Sequence, residues 1–159
     1  MTKIKKVLIA LDYDLSAQKV ADVGFEIGRS MQAEITLMHV VADVNYYSSS
    51  AFSPIIGFMG FNQADIAFFE KENSLKEATT NYLNKVRKKL GDENIKIVVK
   101  EGGFAHEILE QAEKSKADLI VMGSHSRGWL KDILMGSVVE TVFKNTHIPL
   151  TIVPIKEEK

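Results

Sequence analysis

The sequence contains no cysteine. Disulfide staples, thiolate metal ligands and thiol nucleophiles are therefore excluded, and a reducing compartment is the natural setting. Long apolar runs are missing too. The longest apolar patch, AFSPIIGFMGF at residues 51–61, is broken by Ser, Pro and Gly. It falls short of the roughly 20 residues that a membrane helix requires. Charge of one sign is not in excess: 20 basic against 21 acidic residues leave a net charge of −1. Such a balance gives no long-range pull toward nucleic acid or anionic lipid, whereas a small anion held by local dipoles stays open. The amino-terminal residues carry charge but no apolar core or small-residue cleavage site of a signal peptide. The expectation is a cytoplasmic protein with neither nucleic-acid nor membrane partners.

Three familiar phosphate signatures are also lacking. No G-x-G-x-x-G follows the first apolar run, and no G-x-x-x-x-G-K pattern occurs, which removes the usual dinucleotide fingerprint and the Walker-type loop. An acid at residue 12 resembles the phosphoacceptor of a receiver domain. The third strand, however, ends Val99-Lys100-Glu101 without the aspartate such a domain needs, and no lysine ends the fifth.

What is present is regular. KKVLIALD at 5–12 is a continuous apolar run ending in an acid, and EITLMHVV at 34–41, IKIVVKEG at 95–102, DLIVMGS at 118–124 and IPLTIVPI at 148–155 read as four further strands. Runs without alternation suit parallel strands buried on both faces. Between them lie helical stripes. Ala17, Val20, Ala21, Gly24, Ile27, Gly28 and Met31 form the first, with Asp14 or Ser16 able to cap it. Leu75, Ala78, Tyr82, Val86 and Leu90 form the second, ended by Gly91 at a left-handed cap. Its start falls near Ala64 or at Ser74, where a capping box is spelled out. Residues 105–116 form a third helix, and Val138, Val139, Val142 and Phe143 belong to the last. Strands alternating with helices imply right-handed crossovers and an α/β fold, here one domain over 1–159. Residues 42–63 show no period, and a segment of that length is expected to be functional or mobile.

In open parallel sheets, ligands bind beyond the carboxyl ends of the strands. The segment MGSHSRGWLKDILMGSVVE at 122–140 begins at such an end. Its two small-residue bends, Gly123-Ser124-His125-Ser126 and Gly136-Ser137, offer bare backbone amides, and the second opens a helix. Two bends together would hold a polyphosphate, with Arg127 adding charge and Ser124, Ser126 and Ser137 adding hydroxyls. A second reading stands beside it: Ser137-Val138-Val139-Glu140 is a capping box, and the glycine then serves only the turn. Both readings want the same amides. Asp12 serves equally as a cap or a ligand contact. His39 reads as a core or loop residue, His106 and His147 as surface or cap residues, and His125 as structural. None of the histidines has metal-ligand spacing with another, and no metal and no catalytic residue is assigned.

The chain resembles the universal stress protein family. The resemblance rests on Val-Leu-Ile-Ala-Leu-Asp at 7–12, His39-Val40, the run Ala117 to His125, and Ile148 to Val153. Nucleotide-binding members carry G-x2-G-x9-G followed by Ser or Thr. Gly123 and Gly136-Ser137 match it at the right distance, while Ser126 replaces the second glycine. The resemblance implies a five-stranded parallel sheet in order 3-2-1-4-5 with helices on both faces. It implies ATP or a related adenine nucleotide, with or without magnesium. The implied site takes in Ala10, Leu11, Asp12, Val40, Met122, Gly123, Ser126, Arg127, Gly136, Ser137 and Val138. It places adenine at the backbone of Ala10 and Val40, and Asp12 near ribose or a metal-bridged phosphate. A homodimer paired through strand 150–154 is implied as well. Efficient catalysis is not expected, because no positioned nucleophile and charge clamp are evident. The alternatives are a nucleotide-free dimeric interaction module, favoured by Ser126, and a slow ATPase or phosphotransferase using Asp12.

Overall fold

The five strand segments form one sheet, with the three inner strands buried and the two outer ones only half-buried. The structure, a computed structural model, describes residues 3–13, 16–41, 72–124 and 136–155. β1 (Lys6–Ala10) lies at the centre and pairs in parallel with β2 (Glu34–Val41) and β4 (Leu119–Gly123). β3 (Lys96–Glu101) extends the sheet beyond β2, and β5 (Leu150–Val153) beyond β4. The order is β3-β2-β1-β4-β5, as the resemblance implied. The last strand is shorter than its apolar run, with Pro149 and Pro154 bracketing it.

Successive strand side chains point to opposite faces, and this divides the core in two. Val7, Ile9, Leu11, Ile35, Leu37 and Val121 pack on one face against α1 (Ala17–Ser30) and α2, which is described over Glu72–Leu90. Leu8, Ala10, Met38, Val40, Ile120 and Met122 pack on the other against α3 (Phe104–Ser115) and α4 (Ser137–Asn145). Two glycines set how closely α1 approaches. A Cβ on Gly24 would lie 2.6 Å from Ile9 Cδ1, and one on Gly28 would lie 2.7 Å from Ile35 Cδ1.

Helix ends and faces depart from the sequence pattern in instructive ways. Gly91 ends α2 at φ 76°, as expected, and its amide returns to Arg87 and Lys88 carbonyls. At the end of α3 the left-handed residue is Lys116, at φ 55°, where no glycine marks it. The buried face of α2 centres on Thr79, Leu83 and Val86, with Leu75, Ala78 and Tyr82 only half-buried. Thr79 reads as polar, but it is buried because its hydroxyl donates to the Leu75 carbonyl at 2.8 Å. On α4, Val139 and Val142 turn inward while Phe143 is 60% exposed. No helix among the described residues is long and apolar enough to cross a membrane.

Candidate functional site

Three of the strand-end residues expected at the site share one face. Ala10, Val40 and Met122 are buried on the α3/α4 side, and Ala10 lies opposite Met122 in register. β1 leaves the sheet after Ala10, although the Leu11 amide still donates to the Met38 carbonyl at 2.8 Å. Asp12 follows, half-buried, at the carboxyl end of the central strand.

The two small-residue bends meet. The Gly136 amide donates to the Ser124 carbonyl at 2.7 Å, so the start of α4 is fastened to the end of β4. Gly136 holds the N-cap position in extended conformation, at φ −68° and ψ 159°, and no side chain caps the helix there. The first intrahelical bond runs from the Glu140 amide to the Gly136 carbonyl at 3.0 Å. The amides of Ser137, Val138 and Val139 precede it and have no acceptor within the helix. They open beside exposed Ser137 and half-buried Val138. A helix start of this kind carries about half a positive charge.

The capping-box reading of this segment is not what forms. Ser137 is the first helical residue, one past the position from which a hydroxyl reaches back to free amides. Glu140 turns instead to Lys144, 2.6 Å away. That contact holds the Glu140 carboxyl below its usual range. Ser124 also differs from expectation. It is buried, and its Oγ accepts the Ile155 amide at 2.9 Å, so its oxygen helps to tie down the strand end. Gly123 has no left-handed backbone. Its need is space, since a Cβ would lie 3.0 Å from Val20 Cγ2 and 3.3 Å from Ile155 Cγ1. Ser126, Arg127 and His125 lie outside the described residues, as do Asp14 and the 42–63 segment.

Sequence reasoning missed the cluster behind Asp12. His39 is buried on the α1/α2 side, with Nδ1 2.7 Å from the Leu11 carbonyl. A carbonyl only accepts, so the proton sits on Nδ1 and Nε2 presents a lone pair, which has no partner among the described residues. Burial lowers the His39 pKa to about 4, so the ring is neutral. The Tyr13 ring lies 3.9 Å from it, and Tyr82 lies 5.2 Å from Tyr13. The Tyr82 hydroxyl donates to the Asp12 carbonyl at 3.1 Å, and the Tyr13 hydroxyl bonds Thr79 Oγ1. The sequence placed His39 in the core correctly, but only one of its nitrogens is satisfied.

Two further groups of acids came together unannounced. At the opposite, amino end of the sheet, Asp118 Oδ2 accepts the Lys5 and Lys6 amides at 2.8 and 3.0 Å. On α3, ligand atoms of His106, Glu107 and Glu110 lie within 4.8 Å of one another. The four-residue spacing of His106 and Glu110 was the available sign.

A parallel, doubly wound α/β sheet in the order β3-β2-β1-β4-β5, with the start of α4 fastened to the carboxyl end of β4, defines the fold class. Comparison with known proteins sharpens this. Residues 3–154 match the model of the universal stress protein family. The chain belongs to that family. It is 32% identical over 157 residues to universal stress protein MJ0577 of Methanocaldococcus jannaschii, covering 96% of each chain. It is 36% identical to MJ0531 of the same organism, covering 96% of this chain and 85% of that one. The solved structure of MJ0577 superposes with a TM-score of 0.71 over 99% of this chain and all of that one, at 27% identity. A universal stress protein in complex with cAMP shares the fold, with a TM-score of 0.61 at 18% identity over 96% of this chain and 98% of that one. So does one from Archaeoglobus fulgidus in complex with dAMP, at 0.58 and 17% over 95% and 98%.

Proposed function

We propose that this universal stress protein binds ATP or a related adenine nucleotide as a dimeric, cytoplasmic regulator of a stress response. The observation that carries the reading is the 2.7 Å bond from the Gly136 amide to the Ser124 carbonyl. It holds the start of α4 against the end of β4, where the Ser137, Val138 and Val139 amides, which have no acceptor within the helix, would face an anion. Phosphates would lie against these amides and the Ser137 hydroxyl, with Gly123, Ser126 and Arg127 completing the loop. Adenine would pack at Ala10, Leu11 and Val40, with Met122 beside it, and Asp12 would meet ribose or a magnesium-bridged phosphate. The ligands of the two relatives solved with cAMP and dAMP belong to the same chemical class.

Dimerisation would use β5. Both outer strands have one edge without a paired strand among the described residues, but β3 carries Lys96, Lys100 and Glu101, whereas Leu150-Thr151-Ile152-Val153 carries no charge. Uncharged apolar edges invite pairing.

The test is to denature the purified protein and chromatograph the supernatant for adenine nucleotide. Unliganded protein is then heated with and without Mg·ATP. Ligand at about 100 times its dissociation constant adds about 2.7 kcal/mol. Neither released nucleotide nor a midpoint shift at millimolar Mg·ATP would leave the nucleotide-free interaction module as the reading to pursue.

A further inference from the structure

The residues following β1 are tied down from the α1/α2 face of the sheet, opposite the face that carries Ala10, Val40 and Met122. Leu11 gives its amide to Met38 and receives His39 Nδ1–H on its carbonyl at 2.7 Å. Asp12 receives the Tyr82 hydroxyl on its carbonyl at 3.1 Å. Thr79 already donates its proton to Leu75, so the Tyr13 hydroxyl is the donor in the Tyr13–Thr79 bond. Three consecutive residues are thus fastened to β2 and α2 by polar groups within a layer otherwise filled by Leu37, Leu83 and Val86.

Apolar side chains would fill that layer without the desolvation cost of an imidazole and a phenol. Water or backbone commonly satisfies the carbonyls of a chain leaving a sheet. Two long side chains from different elements do so here, and what they gain is a fixed path through Leu11 and Asp12. From this geometry we infer that His39 and Tyr82 are positioning residues, holding the Leu11–Asp12 segment from behind so that Asp12 meets the nucleotide in one place. This rests on the nucleotide reading above. In this reading neither residue is a ligand contact: each bonds a backbone carbonyl of the segment, from the α1/α2 side, while Ala10, Val40 and Met122 face α3 and α4.

The test is calorimetric titration of the full chain and its variants with Mg·ATP. Tyr82→Phe removes one hydroxyl and is expected to weaken binding about fivefold, the worth of one net hydrogen bond. In an Asp12→Asn background the same change is expected to cost less than about twofold, because the residue it positions is already altered. His39→Leu should weaken binding at least about fivefold, and His39→Asn, which returns a donor near Nδ1, should recover most of the loss. An unchanged affinity in Tyr82→Phe, an equal loss in both backgrounds, or equal losses in His39→Leu and His39→Asn would each reduce these residues to packing and overturn the inference. A parent chain that gives no heat and no thermal shift with Mg·ATP removes the nucleotide reading and this inference with it. That result is distinct from a binding parent with indifferent variants.

Discussion

Two aspartates mark opposite ends of the same sheet, and their surroundings differ. Asp118, at the amino end, accepts two backbone amides from the chain entering β1, and Lys6 Nζ reaches the Ser115 carbonyl beside it. The fold occupies that end with its own bonds. Asp12, at the carboxyl end, sits on a segment whose carbonyls are held from one face. Toward the other face the bends of β4 and α4 converge with amides that lack an acceptor in the helix. A strand-end acid is therefore no sign of a site by itself. What separates the two is that Asp118 takes up the amides beside it, whereas the first amides of α4 have no acceptor within their own helix.

The contrast can be broken most forcefully by acid. His39 is neutral when folded, its pKa lowered from 6.5 to about 4 by burial. The unfolded chain takes up that proton first as pH falls, so the stability is fully present above pH 6.5 and is lost on the descent toward 4. The loss should reach about 3 kcal/mol at pH 4. Thermal midpoints at pH 7 and 4.5 should fall less steeply in His39→Leu than in the parent. Next in size, Asp118→Ala strands two amides and should cost about 2 kcal/mol in urea unfolding, with nucleotide affinity unchanged. Asp12→Asn should do the reverse: affinity for Mg·ATP falls about tenfold while stability moves by less than about 1 kcal/mol. A large loss of stability with intact affinity would make Asp12 another Asp118. The smallest effect is expected for Ser137→Ala, about threefold in affinity, since its amide stays and only a hydroxyl goes.

Much of this architecture was legible because parallel strands buried on both faces need continuous apolar runs. EITLMHVV coincides with β2 to the residue. The stripe from Ala17 likewise locates α1, since helix period and sheet contact agree. What escaped depends on contacts across the fold. Asp118 meets Lys5 at a separation of 113 residues, which no local pattern encodes. Thr79 was missed because its hydroxyl satisfies itself within its own helix. The capping box at Ser137 did not form because a contact invisible in sequence, Gly136 to Ser124, moves the N-cap back by one residue. Gly123 suggested a turn requirement, but its constraint is the approach of Val20 and Ile155. For Gly123 and Ser124 the local reason came from packing and bonding to the neighbouring strand end, which the motif does not spell out.

The most direct measurement is a two-dimensional amide NMR titration of the protein with Mg·ATP, followed at both ends of the sheet. Large, saturable shifts are expected at Ser137, Val138 and Val139, with Lys5 and Lys6 unmoved. Saturable shifts elsewhere, with the first amides of α4 unchanged, would contradict the assignment of those amides as the phosphate cradle.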